Sequence, residues 1–122
     1  MPSSLTDVLQ RVGQAPDFSG ISVTCANTLG LFKARPLHTA AVWGDCEAIE
    51  ILLKAGAVID EPGEHGFTAL MEAVAQNHVS ACKLLVTLGA GPVPNSDGYI
   101  PSEYAVISGN QDLAQWLQAK GF

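Results

Sequence analysis

The chain has 122 residues, 48% of them hydrophobic, and carries a formal net charge of −6. That length suits one domain, and that hydrophobic share supplies a core, which excludes an intrinsically disordered segment. Twelve acids against six bases argue against nucleic acid or an anionic membrane as partner and favour a basic protein.

From the N-terminus, Ser3 or Ser4 is placed to accept hydrogen bonds from the first amides of a helix. Leu5, Val8, Leu9 and Val12 recur there at helical spacing until Gly13, which is expected to end it. The opening MPSSLTDVLQ lacks a basic start followed by an apolar run, and no later run is long enough for a membrane span. The expectation is a soluble protein retained in the cytoplasm. Residues 16–20 read as a loop, and Ile21-Ser22-Val23-Thr24 alternates as an extended segment does.

Arg35 to Ala57 then reads as two short helices joined by Gly44-Asp45. The second, Cys46 to Ala55, sets Ile49, Leu52 and Leu53 on one face and Glu47, Glu50 and Lys54 on the other, and Gly56 allows the left-handed turn that ends it. The chain then repeats this unit. Leu37 and Leu70, Gly56 and Gly89, and Ala57 and Ala90 each stand 33 residues apart; Gly66 and Gly98, Ala73 and Ala105, and Gly89 and Gly121 each stand 32 apart. A fixed period of this length marks a solenoid of stacked units.

Pro36-Leu37-His38-Thr39-Ala40-Ala41, Gly44-Asp45, Ile49, Leu52-Leu53 and Gly56-Ala57 resemble the ankyrin pattern TPLHxAAxxGxxxxIxxLLxxGA. Copy two keeps Gly66-Phe67-Thr68-Ala69-Leu70, Glu72-Ala73-Val74, Leu84-Leu85-Val86 and Gly89-Ala90, and copy three keeps Gly98, Pro101, Ala105, Gly109, Leu117 and Gly121. The resemblance implies an all-α ankyrin-repeat solenoid. Its expected divisions are an N-terminal capping helix and extended segment (1–26), then helix-turn-helix repeats with long finger loops at 27–60, 61–93 and 94–122. Gln118 stands where copies one and two have Leu53 and Val86, so the third repeat is expected to close the array with a polar outer face.

The first finger departs from the family. Counted from Gly30, it holds three residues more than expected before Pro36, and Arg35 replaces the Thr that would cap the helix, a loss of about 1 kcal/mol. Pro36 suits the first helical position, and Thr68 caps the equivalent helix of copy two.

Little in the chain suggests catalysis. Cys25, Cys46 and Cys82 form no CxxC pair and read as reduced thiols, with Cys82 a small core residue at the position of Ile49. His38 occupies the PLH position, where the family's histidine bonds between neighbouring repeats. His78 and Cys82 lie four apart on one helical face, a possible metal pair, but zinc needs about four ligands and no second pair lies nearby. No phosphate loop, GxSxG or carboxylate pair is evident. The reading assigns no enzyme activity, catalytic residue, metal or cofactor.

What the resemblance implies instead is protein binding on the concave face, through positions the motif leaves free. In copy one these are Leu29, Leu31, Phe32, Thr39, Val42 and Trp43. Of the full set, the assigned contacts are Phe32, Trp43, Glu64, His65, Phe67, Glu72, Gln76, Asp97, Tyr99 and Tyr104. Each aromatic also has a structural reading, packing within its own repeat. Small solitary ankyrin proteins of bacterial type include toxin antidotes, so the resemblance further implies a monomeric immunity protein neutralising a basic toxin or enzyme. The alternative is a structural or oligomerising scaffold or regulatory adaptor.

Overall fold

In a computed structural model that describes residues 4–122, seven α-helices and three 3-10 turns follow one another, with no strand among the described residues. The helices are α1 (Leu5–Gly13), α2 (Pro36–Trp43), α3 (Cys46–Lys54), α4 (Ala69–Ala75), α5 (Val79–Thr87), α6 (Pro101–Ile107) and α7 (Gln111–Ala119). α2, α4 and α6 stack as an inner row; α1, α3 and α5 stack as an outer row that α7, packed on α6, continues at the C-terminal end. Each inner helix packs on the outer helix that follows it. Leu52, Leu85 and Leu117, all fully buried, recur at the repeat period through the outer helices; Ala40, Ala73 and Ala105, also fully buried, let the inner helices approach closely. Cys82 joins this core, as its place in the repeat implies. Gln118 is exposed where Leu53 and Val86 are half-buried against the core.

α1 begins with a capping box: Ser4 Oγ accepts from Asp7 N at 3.2 Å, and Ser4 N donates to Asp7 Oδ2 at 3.3 Å. Ser3, the other candidate cap, lies outside the described residues. Val8 and Val12 are buried against the repeats. Gly13 is the last helical residue rather than a left-handed stop; the helix closes through Gln14 N on Arg11 O and Ala15 N on Val12 O. Pro16, which cannot continue a helix, ends it instead and opens a 3-10 turn, Pro16–Phe18. The expected loop therefore carries a core residue, for Phe18 is fully buried. Beyond it Ile21 and Val23 lie against the core while Ser22 and Thr24 are exposed, so the alternation holds without a strand.

The first finger is not lengthened. Gly30 N bonds Ala34 O at 2.7 Å and Gly63 N bonds Phe67 O at 2.8 Å, closing the same turn in fingers one and two. Phe32 and Lys33 take φ of 55° and 63°, and His65 and Gly66 take 58° and 74°. Lys33, not Gly30, thus stands at the finger-glycine position, 33 residues before Gly66. The apparent surplus arose because a lysine fills the left-handed place where glycine is the usual mark.

Neighbouring units are joined by side chains at repeat spacing. His38 Nδ1 accepts from Arg35 N at 3.0 Å, so Nε2 holds the proton and donates to Glu61 O at 2.7 Å. This is the inter-repeat bond expected of the PLH histidine, and burial holds the His38 pKa below its ordinary value. Arg35 lacks a capping oxygen but donates to Asn27 O at 2.8 Å and Glu61 Oε1 at 3.2 Å. Asp60 accepts from Gly91 N at 3.0 Å. His78 Nε2 donates to Val42 O at 2.8 Å, and its ring lies where a Cβ on Gly44 would meet Cγ at 2.5 Å. That bond uses Nε2 and fixes the ring between two units. Of the possible His78/Cys82 metal pair, burial pushes the Cys82 thiol up to about 12, against the thiolate a metal requires.

Candidate functional site

The fingers and the inner helices position the residues assigned to binding. At the tip of finger one the left-handed turn displays Phe32, which is 66% exposed. At the tip of finger two Glu64 and His65 are exposed, with His65 Nε2 at 3.5 Å from Glu64 Oε1. In finger three the Asn95 carboxamide oxygen accepts from Asp97 N at 3.0 Å and Tyr99 N at 3.1 Å, holding both residues outward. Ser96 N bonds His65 O at 2.9 Å, and a Cβ on Gly66 would meet that nitrogen at 2.7 Å, so fingers two and three are packed together. Phe32, Glu64 and His65 share an open groove of about 390 Å³ with Lys33, Gly66 and Ser96.

Behind Phe32 lies a narrower cavity of about 50 Å³ that Glu64 and Glu72 line together with Asp17 and Thr39. Glu72, half-buried on α4, is pushed up to about 7, first by burial and then by the charges of Asp17 and Glu64. It is therefore part-protonated at neutral pH, and the face is less acidic there than its carboxylates suggest. Phe67 and Tyr104 form an edge-on pair with centroids 5.1 Å apart and planes at 80°, a contact that half-buries both rings. Gln76 is exposed at the end of α4.

Trp43 stands apart from this group. Its ring lies under the Arg11 guanidinium at 5.2 Å and faces a groove with Ala15 and Pro16 beside α1. Leu29, Leu31 and Val42 are exposed as expected, but Thr39 is 6% exposed. Instead of facing solvent it lines a cavity shared with Asp17 of the first 3-10 turn. Asp60 and Glu61, which add to the acidic count of the fingers, are engaged in joining repeats. Sequence reasoning missed Asp17, whose only signal was Pro16 at a helix start, and it missed that Lys33 takes a glycine conformation.

A family model for ankyrin repeats in three copies matches residues 18–96 and 37–122. Protein phosphatase 1 regulatory subunit 27 of Homo sapiens is 31% identical over 96 residues, covering 78% of this chain and 60% of that protein. The inactive serine/threonine-protein kinase TEX14 of Mus musculus is 33% identical over 103 residues, which is 80% of this chain and 7% of the relative. Putative palmitoyltransferase ZDHHC13 of Danio rerio is 34% identical over 87 residues, 70% of this chain and 14% of the relative. The chain thus spans less than two-thirds of the length of each. Ankyrin repeats are modules that bind other proteins, and matches to enzymes reach them through such repeats. Among the described residues no helix is long and apolar enough to cross a membrane. The family model and the relatives agree with the stacked helix pairs: this chain belongs to the ankyrin-repeat family.

Proposed function

We propose that this chain is a non-enzymatic binding module that holds a basic partner protein against its fingers and inner helices, and that it acts as an inhibitor of a basic toxin or enzyme. The observation that carries the reading is Phe32. A bulky side chain in a left-handed turn costs on the order of 1–2 kcal/mol where Asn or Gly would cost little. The ring nevertheless stands 66% exposed at a finger tip, where it adds little to the stack. Strain kept for an exposed aromatic fits a binding anchor, and aromatics dominate such hot spots. Phe67, Tyr99 and Tyr104 continue the surface, with Glu64, Glu72 and Asp97 as charge complement and His65 and Gln76 at its edge. Trp43 extends it toward α1. From Ala55 to Ala119 seven acids face a single base, Lys83, and Lys83 lies over the Trp116 ring at 5.4 Å. A small ankyrin relative named as a phosphatase regulatory subunit supports action on an enzyme through binding alone. The protein works as a monomer in the cytoplasm.

The test begins with the protein that co-purifies with this chain from its own host. Phe32→Asn and Tyr104→Ala should each weaken that complex by about 2 kcal/mol, whereas Glu50→Ala on α3 should leave it unchanged. The reverse pattern would mean that the other side of the array binds. Sedimentation should show one species at all concentrations; self-association through the aromatic face would favour the scaffold role instead.

A further inference from the structure

The cavity behind Phe32 gathers three carboxylates from separate parts of the chain: Asp17 from the first 3-10 turn, Glu64 from finger two and Glu72 from α4. Among the described residues no Lys or Arg lines it. His38, which does, has both ring nitrogens engaged, on Arg35 N and Glu61 O. His65 stands outside, exposed beside Glu64. An independent feature points the same way. Thr39 lines the same cavity with only 6% of its surface exposed, and its Oγ1 is buried without a hydrogen-bond partner. A buried hydroxyl in that state destabilises the fold unless something enters to bond it.

We propose that this cavity is a socket for a lysine ammonium of the partner protein, with Asp17, Glu64 and Glu72 as its counter-charges and Thr39 Oγ1 as a further acceptor. The inference rests on the binding role proposed above and names what that face recognises. The acceptors surround the space from different elements, which suits the three diverging N–H donors of an ammonium; the coplanar fork of a guanidinium fits a single carboxylate best. The carboxylates do not converge as metal ligands must, for no group of three or more such side chains among the described residues could hold a metal ion. Phe32 and Val42, both exposed and lining the cavity, offer apolar walls to the methylene stem of a lysine. Entry of the ammonium favours the charged form of Glu72, so a proton leaves as the lysine arrives.

The test is an NMR titration of the intact chain with the blocked peptide acetyl-Gly-Lys-Gly-amide, reading the amides of Thr39, Glu64 and Glu72 and the carboxyl carbon of Glu72. Saturable shifts at these positions are expected, together with a fall in the Glu72 pKa of about one unit or more. Glu72→Gln should weaken the response about tenfold. Thr39→Val, of the same shape, should weaken it as well, and both variants should keep the spectrum of the folded chain. The proposal is overturned if these residues do not respond, if Glu72→Gln responds like the parent, or if the same peptide acetylated at the lysine Nε, acetyl-Gly-Arg-Gly-amide or calcium chloride acts as strongly. Equal binding by Gly-Gly-Gly-amide, whose only cation is its terminal amine, would overturn the assignment to lysine. Should the peptide fail while Phe32→Asn still weakens the native complex, only the socket falls. Should Phe32→Asn have no effect there, the face itself falls whatever the peptide does.

Discussion

Glu72 shows how the stack sets the chemistry of a single side chain. Its carboxyl is raised from an ordinary 4.5 to about 7, so the folded chain holds a proton there that the unfolded chain has released. Glu72 therefore draws stability out of the fold as pH rises from about 4.5 to 7, and no further above that. Glu72→Gln should match the parent below that window and exceed it by roughly 1–2 kcal/mol above pH 8, after allowance for solvent screening. Urea denaturation of both proteins across pH checks this, and a constant difference at every pH would contradict it. None of this was legible in the sequence, which carries no sign that Asp17, 55 positions earlier, comes within reach of Glu72. The roles of His38 and Thr68 were legible, because Thr68 bonds only within its own cap and the partner of His38, a backbone carbonyl one unit on, is set by the repeat itself.

The helices followed closely from periodicity, since Leu52, Leu85 and Leu117 declare the buried side whatever the loops do. The fingers did not, because their geometry is a matter of φ, and a lysine gives no warning that it will adopt a left-handed turn. Lys33→Gly should relieve that strain and stabilise the chain by about 1 kcal/mol. Phe32→Asn should act in the same direction on stability while weakening partner binding, a divergence that a purely structural ring would not produce. Thermal melts of both variants, compared with their affinity for the native partner, decide the point. A loss of stability in Lys33→Gly would show that the turn is not strained.

For the whole molecule, stability resides in the interfaces between units. Leu85 is fully buried and Leu53 only half-buried, which separates two substitutions that look alike in the repeat pattern. Leu85→Asp should cost at least about 3 kcal/mol and unfold adjoining repeats together, while Leu53→Asp should cost clearly less. Equal midpoints in urea would contradict this ranking. The electrostatic character of the molecule is likewise shared between two tasks. Arg11 with Asp45, and Arg35 with Glu61, tie units together, whereas Glu64, Glu72 and Asp97 are the acids we propose act on a partner. The central claim is that these acids and the finger aromatics form the binding face, and association kinetics test it most directly. Stopped-flow mixing with the native partner, from low to physiological salt, should show association slowing steeply while dissociation changes little. The paired reversal Glu64→Lys with Asp97→Lys should slow association about tenfold or more even at low salt, and Glu50→Lys on α3 should not. Association indifferent to salt, or slowed equally by Glu50→Lys, would contradict the account.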